Sequence, residues 1–136
     1  MTITYLALGS NLGDRRAALE DAIARLHAAG VEILRRSSII ETPPAYVLDQ
    51  PHFLNMVIEA QTTLFVTELL RRTQQIERDM GRRKIIDKGP RLIDIDILLF
   101  GNLSLQSPKL TVPHPLMHER PFVLVPLSEL IPLSKV

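Results

Sequence analysis

The chain reads as an α+β domain with ferredoxin-like topology, an antiparallel sheet carrying two helices on one face. Two apolar stripes of helical period, around Leu19–Leu26 and Val66–Met80, are flanked by apolar or alternating runs of strand length. The resulting order of strand, helix, strand, strand, helix, strand is that of the split βαβ arrangement. At 136 residues, 46% hydrophobic and 23% charged, the sequence fits a single domain, 1–136, with a core large enough to fold alone.

The first strand is the run Met1 to Gly9, with Tyr5-Leu6-Ala7-Leu8 at its centre and a turn expected at Gly9-Ser10-Asn11. It has no basic leader and is too short for a signal segment or a membrane span. Leu19, Ala22, Ile23 and Leu26 then mark the first helix, with Asn11 or Asp14 available as cap and Gly30 to close it. Val31 to Glu41 predicts a strand passing into a loop, because Thr42-Pro43-Pro44 breaks whatever precedes it. From Phe53 to Ala60 the alternation puts Leu54, Met56, Ile58 and Ala60 on one face and Phe53, Asn55, Val57 and Glu59 on the other. The second helix, Val66 to Met80, stops at Gly81, and Ile93 to Phe100 returns to strand periodicity. Beyond it, six prolines from Pro108 to Pro132 permit only short elements.

Composition excludes several classes of function. Without cysteine there are no disulfides, thiolate metal sites or cysteine nucleophiles, and a cytoplasmic location is expected. A net charge of +1 argues against a surface dominated by nucleic acid. An RNA-binding sheet of this topology would display exposed aromatics, yet aromatic residues are 4% of the chain and tryptophan is absent.

The most informative stretch is Gly89-Pro90-Arg91-Leu92-Ile93-Asp94-Ile95-Asp96-Ile97. In a strand Asp94 and Asp96 project to one side, about 6.6 Å apart along the chain, while the isoleucines turn into the core. Hard oxygen ligands with no thiol beside them suit Mg²⁺, which keeps waters and accepts phosphate oxygens, and two such ions about 3.5 to 4 Å apart fit the pair. Just before them, Arg82, Arg83, Lys84, Lys88 and Arg91 lie in a segment with Gly81 and Gly89 near its ends, the composition of a mobile basic flap. Basic flap and acidic strand are complementary halves of a triphosphate site. A solvated turn, or a basic patch for nucleic acid, is the alternative for the flap alone. Gly9-Ser10-Asn11-Leu12-Gly13-Asp14 has neither the phosphate-loop spacing nor the dinucleotide fingerprint, so it is expected to be a turn and cap. His114 and His118 lack a third ligand and have Pro115 between them, which favours a phosphate or ribose contact by His114 over zinc. Phe53 and Asn55 pair a flat aromatic surface with a two-sided amide, a combination suited to a planar heterocycle.

Together these residues resemble the 6-hydroxymethyl-7,8-dihydropterin pyrophosphokinase family of the folate pathway. The resemblance is carried by Ala7-Leu8-Gly9-Ser10-Asn11-Leu12-Gly13, Glu41-Thr42-Pro43-Pro44, Gln50-Pro51 with Phe53-Leu54-Asn55, Gln75-Ile76-Glu77, Gly81-Arg82, the Gly89 to Asp96 run, and Leu110-Thr111-Val112-Pro113-His114-Pro115 with Arg120 and Phe122. It implies transfer of the β,γ-diphosphate of ATP to the pterin hydroxymethyl group, leaving AMP. Asp94 and Asp96 would hold two Mg²⁺, with Asp96 a candidate for the attacking hydroxyl's proton. Arg82 and Arg91 would stabilise the transferring group. Gln74, Glu77, Arg82, Arg83, Lys109, Thr111, His114 and Arg120 would shape the ATP side. The pterin would stack between Phe53 and Phe122, its edge read by Asn55 and by backbone around Thr42, Pro43, Pro44 and Ala45. ATP and the pterin would be the only partners of a monomer, with no nucleic acid or membrane involved. Lys88 and Leu116 depart from the family pattern, where an aromatic and a basic or polar residue are common. Relatives also usually continue beyond the point matching Val136, so either a naturally short chain or a missing tail is expected.

Overall fold

The computed structural model describes residues 1–44, 48–81 and 91–135. Strands β1 (Thr2–Ser10), β2 (Val31–Arg36), β3 (Ile40–Thr42), β4 (Phe53–Thr62) and β5 (Asp94–Phe100) form one antiparallel sheet in the order β2-β4-β1-β5, with β3 following β2 along the same edge of β4. Helices α1 (Arg15–Ala28) and α2 (Val66–Asp79) pack on one face, as the sequence predicts. There Leu6, Leu8, Met56 and Ile58 meet Leu19, Leu26, Leu69 and Ile76 in the main core. Burying a side chain of this size contributes roughly 1.5–3 kcal/mol, so the faces of the strands are strongly specified.

Local chemistry sets most boundaries. Asp14 caps α1, its Oδ1 accepting the Ala17 N–H at 3.1 Å. Gly30 and Gly81, after the two helices, take φ of +94° and +86°, the left-handed conformation that turns the chain out of a helix at least cost. The strand expected over Val31 to Glu41 divides at Ser37, whose N–H donates to Val57 O and whose Oγ accepts the Val57 N–H, both at 2.9 Å. A side chain there replaces one ladder partner. β1 continues through Gly9 to Ser10 instead of turning at Gly9, because Gly9 pairs with Asn55 on one side and Asp94 on the other.

The proline-rich remainder forms a short hairpin, β6 (Leu105–Gln106) with β7 (Thr111–Val112), and then helix α3 (Pro121–Ser128). Pro121 occupies the first turn of α3, where its missing donor costs nothing. Val123, Leu127 and Leu130 close over Val57 and Leu98, on the sheet face away from α1 and α2. Arg35 anchors this layer, donating to Glu59 Oε1 at 2.9 Å and Oε2 at 3.0 Å and to Leu130 O at 2.5 Å, while the Tyr5 hydroxyl donates to Glu59. No helix among the described residues is long and apolar enough to cross a membrane.

Burial, reinforced by the bond to Glu59, pushes the Tyr5 hydroxyl up to about 12 from its ordinary 10.0. The folded state therefore holds this proton longer than the unfolded chain does, and the contribution, complete below pH 10, is lost as pH rises through about 12. Chemical denaturation between pH 9 and 12 is expected to show that loss in the native chain and a flatter profile in Tyr5→Phe.

Candidate active site

The site grows from β5. Ile93, Ile95 and Ile97 are buried in the main core, which turns Asp94 and Asp96 to the opposite face, where both are half-buried. β5 is an edge strand, so its outward N–H groups need partners from elsewhere. Glu77, only 5% exposed on α2, supplies one: its Oε2 accepts the Ile95 N–H at 2.8 Å. A buried carboxylate thus fixes the backbone between the two aspartates.

On the free side of β5 a cavity of about 350 Å³ is lined by Gln74, Glu77, Asp94, Asp96, Lys109, Thr111 and His114. All seven were candidates for the nucleotide or its metal, and they come from α2, β5, the β6–β7 hairpin and the turn after it. Leu70, Ile95, Ile97, Ser107, Pro108, Leu110 and Pro115 complete the lining.

His114 is placed by an irregularity. The β1–β5 register shifts between Tyr5 and Leu6, so Leu98 is passed over in the ladder, and its carbonyl accepts the His114 N–H at 2.9 Å. The imidazole Nδ1 accepts the Leu116 N–H at 3.2 Å, which leaves the other ring nitrogen as the proton-bearing one in the neutral ring. Burial first, then the Arg120 charge, hold the His114 pKa below its ordinary value, with Asp94 opposing. The neutral ring is therefore the form favoured at neutral pH. His118 is exposed on the following short 3-10 turn.

The second region lies along the sheet from Asp94. Asn55 is directly across from Gly9, which is directly across from Asp94, so the three share a face and glycine leaves a gap between the Asn55 and Asp94 side chains. A methyl on Gly9 would come within 3.0 Å of Asn55 Oδ1 and 3.5 Å of Phe53 Cδ1. Asn55 is 7% exposed and donates through Nδ2 to Thr42 Oγ1 at 2.6 Å, which orients its amide. Phe53 is half-buried opposite Thr42; Pro43 is exposed and Pro44 buried. Phe122, half-buried at the start of α3, packs against the second core on this same face, with the Arg120 guanidinium 5.7 Å from its ring centroid. Arg120 thus belongs to the junction of α3 with His114 and does not line the cavity beside β5. Arg91 Nη1 donates to Asp94 Oδ2 at 3.3 Å. Ala45, Arg82 and Arg83, with Lys84 and Lys88, lie outside the described residues.

Gly9 is a candidate position that the sequence placed in a turn; the glycine was visible, but its place between Asn55 and Asp94 depends on the two strands beside it.

Among the described residues no three His, Cys, Asp or Glu side chains converge in a set that would hold an ion alone. Two aspartates of hard oxygen chemistry on a cavity wall fit Mg²⁺, whose remaining ligands are ordinarily water and phosphate oxygens.

Comparison with known proteins shows the family and the fold. Residues 5–132 match the family described as 7,8-dihydro-6-hydroxymethylpterin-pyrophosphokinase. A 2-amino-4-hydroxy-6-hydroxymethyldihydropteridine pyrophosphokinase of Bacillus subtilis is 50% identical over 129 residues, which are 94% of this chain and 77% of the relative. A mitochondrial folate synthesis bifunctional protein of Pisum sativum is 48% identical over 126 residues, 93% of this chain but 24% of that much longer protein. The crystal structure of Plasmodium falciparum HPPK-DHPS shares the fold, with a TM-score of 0.70 at 17% identity over 97% of this chain and 40% of that one. By a family match spanning nearly its whole length and half-identity to a bacterial relative, the chain belongs to the 7,8-dihydro-6-hydroxymethylpterin-pyrophosphokinase family.

Proposed function

We propose that the cavity between α2, β5 and the β6–β7 hairpin takes ATP, that the Gly9, Phe53 and Asn55 face takes the pterin, and that transfer occurs at Asp94 and Asp96 between them. As a member of its family the chain is a pyrophosphokinase of folate synthesis, moving diphosphate from ATP to the hydroxymethyl group of 6-hydroxymethyl-7,8-dihydropterin and releasing AMP. The observation that carries the site assignment is the position of Asp94, which lines the cavity and also shares the sheet row of Gly9 and Asn55. One strand end therefore serves both substrates.

The chemistry follows from these positions. A bond forms between the hydroxymethyl oxygen and the β-phosphorus, and the bond from that phosphorus to the α,β-bridging oxygen breaks, the oxygen leaving with AMP. The hydroxyl proton passes to Asp96. Bound Mg²⁺, two ions in the fullest form of this scheme, would neutralise phosphate charge and lower the proton affinity of the attacking oxygen. Asp94 and Asp96 would hold it. Lys109, Thr111, Gln74 and neutral His114 would orient the nucleotide from the cavity wall, and Arg120 would add positive charge beside His114. Glu77 keeps the β5 backbone in place beneath the aspartates. Arg91 would exchange its bond to Asp94 for one to the transferring group, assisted by Arg82 and Arg83, whose roles rest on sequence resemblance alone. Phe53 and Phe122 would sandwich the pterin ring, with Asn55 and the backbone of Thr42, Pro43, Pro44 and Ala45 along its edge. Positioning and charge neutralisation supply most of the rate in such a transfer. The cysteine-free composition supports a cytoplasmic setting, and the scheme needs only one copy of the chain.

A coupled assay for AMP with Mg²⁺ and ATP is expected to give signal only when the pterin is added; AMP release of equal rate without it would overturn the proposal. Asp96→Ala, folded as wild type by circular dichroism, is expected to lose at least about a hundredfold in kcat. Gly9→Ala should raise KM for the pterin about tenfold through the 3.0 Å approach to Asn55, while KM for ATP stays near wild type. Equal increases in both would place the pterin elsewhere.

A further inference from the structure

Asn11 is 1% exposed at the end of β1 and does not line the cavity beside β5. Its Oδ1 accepts the Arg91 N–H at 2.8 Å, and its own backbone N–H donates to Arg91 O at 3.0 Å. Its Nδ2 donates to Gln50 Oε1 at 2.8 Å and to Pro51 O at 3.0 Å. Both amide hydrogens and the amide oxygen are thereby committed, to two segments 40 residues apart in sequence, Gln50–Pro51 and Arg91, that flank the site from opposite sides.

We infer that Asn11 is a positioning residue that clasps the segment leading into Phe53 and Asn55 to the backbone of Arg91, so that the pterin face and the transferring arginine are set by one buried amide. Three facts support a functional role over general stability. Arg91 is held at both backbone groups, only three residues from Asp94, to which its guanidinium also bonds, so a shift of Arg91 misaligns the aspartate as well as the arginine. The segment before β4 has an independent anchor in Arg15, which donates to His52 O at 2.9 Å and Glu41 Oε2 at 2.7 Å; loss of the Asn11 bonds would let it shift without detaching. And α1 is capped by Asp14, so the helix does not depend on Asn11. A displacement of about 1 Å at a site of this kind can cost on the order of a hundredfold in rate.

The inference rests on the pyrophosphokinase assignment, and the test separates the two. Wild type, Asn11→Asp, Asn11→Ala, Gln50→Ala and the Asn11→Ala/Gln50→Ala pair are compared for kcat, for KM of pterin and for affinity of Mg-ATP measured calorimetrically without pterin, each with thermal unfolding. Asn11→Asp keeps the acceptor for Arg91 and loses the donors to Gln50 and Pro51; Gln50→Ala loses the Gln50 half of that link and keeps the bond to Pro51 O, from the half-exposed side, where folding is least at risk. Both are expected to raise pterin KM about tenfold with kcat within about threefold. Asn11→Ala should also lower kcat by about thirtyfold or more, and the double variant should be no worse than Asn11→Ala in pterin KM, since one link cannot be lost twice. Mg-ATP affinity should change less than about threefold. Wild-type constants in Gln50→Ala and Asn11→Asp, multiplicative losses in the double variant, or losses explained by a smaller folded fraction would each overturn the inference. A wild-type chain without pterin-dependent AMP release would instead overturn the assignment beneath it.

Discussion

Burial of Ile93, Ile95 and Ile97 beneath the sheet is the constraint from which the site follows. A strand with three consecutive odd positions locked into the core has no choice about its even positions, and a one-residue slip would drive two carboxylates into hydrocarbon while exposing the isoleucines. Asp94 and Asp96 are therefore held in register by packing on the far face and not by any bond between themselves. Because β5 is the last strand of the sheet, the same constraint leaves its outer edge open, and the buried carboxylate of Glu77 closes that edge at Ile95. Leaving such an N–H unpaired would cost about 1–3 kcal/mol.

The cavity beside β5 depends on a break in that regularity. Up to Ile97 the strand alternates; the register shift beside Tyr5 and Leu6 then lets Leu98 and Leu99 both contribute to the α3 face, while Phe100 returns to the main core. The Leu98 carbonyl receives His114, and through it the segment that carries Thr111 is drawn against β5. That bond adds to the packing of Leu105, Leu110 and Val112 against the main core in anchoring the β6–β7 hairpin beside the aspartates.

At the other end, glycine at position 9 leaves the side chains of Asn55 and Asp94 facing each other across a single strand. Any side chain at position 9 would fill the space between Asn55 and Asp94. The segments around this gap are regular only where they enter the sheet. Their alignment is supplied by polar side chains of the β1–α1 turn, Asn11 and Arg15, which reach the start of β4, with Asn11 also reaching Arg91.

Much of this was legible in the sequence, and for identifiable reasons. Periodicity in Leu19–Leu26, Phe53–Ala60, Val66–Met80 and Ile93–Phe100 determined the helices, the strands and the face of each candidate residue, since burial is the strongest local signal a sequence carries. The chemistry of Asp94, Asp96 and His114 was likewise visible as residue types, while Lys109 and Thr111 came from the family resemblance. What the tertiary structure alone decided were the partners: that Asn11 bonds Gln50 and Arg91 instead of capping α1, that Gly9 is an interior strand position, that Glu77 pairs with Ile95, and that α3 covers Val57 and Leu98. A hydrogen bond across 40 or 80 positions, or a bulge that redirects one carbonyl, leaves no period in the sequence; it exists only once the strands have been brought side by side.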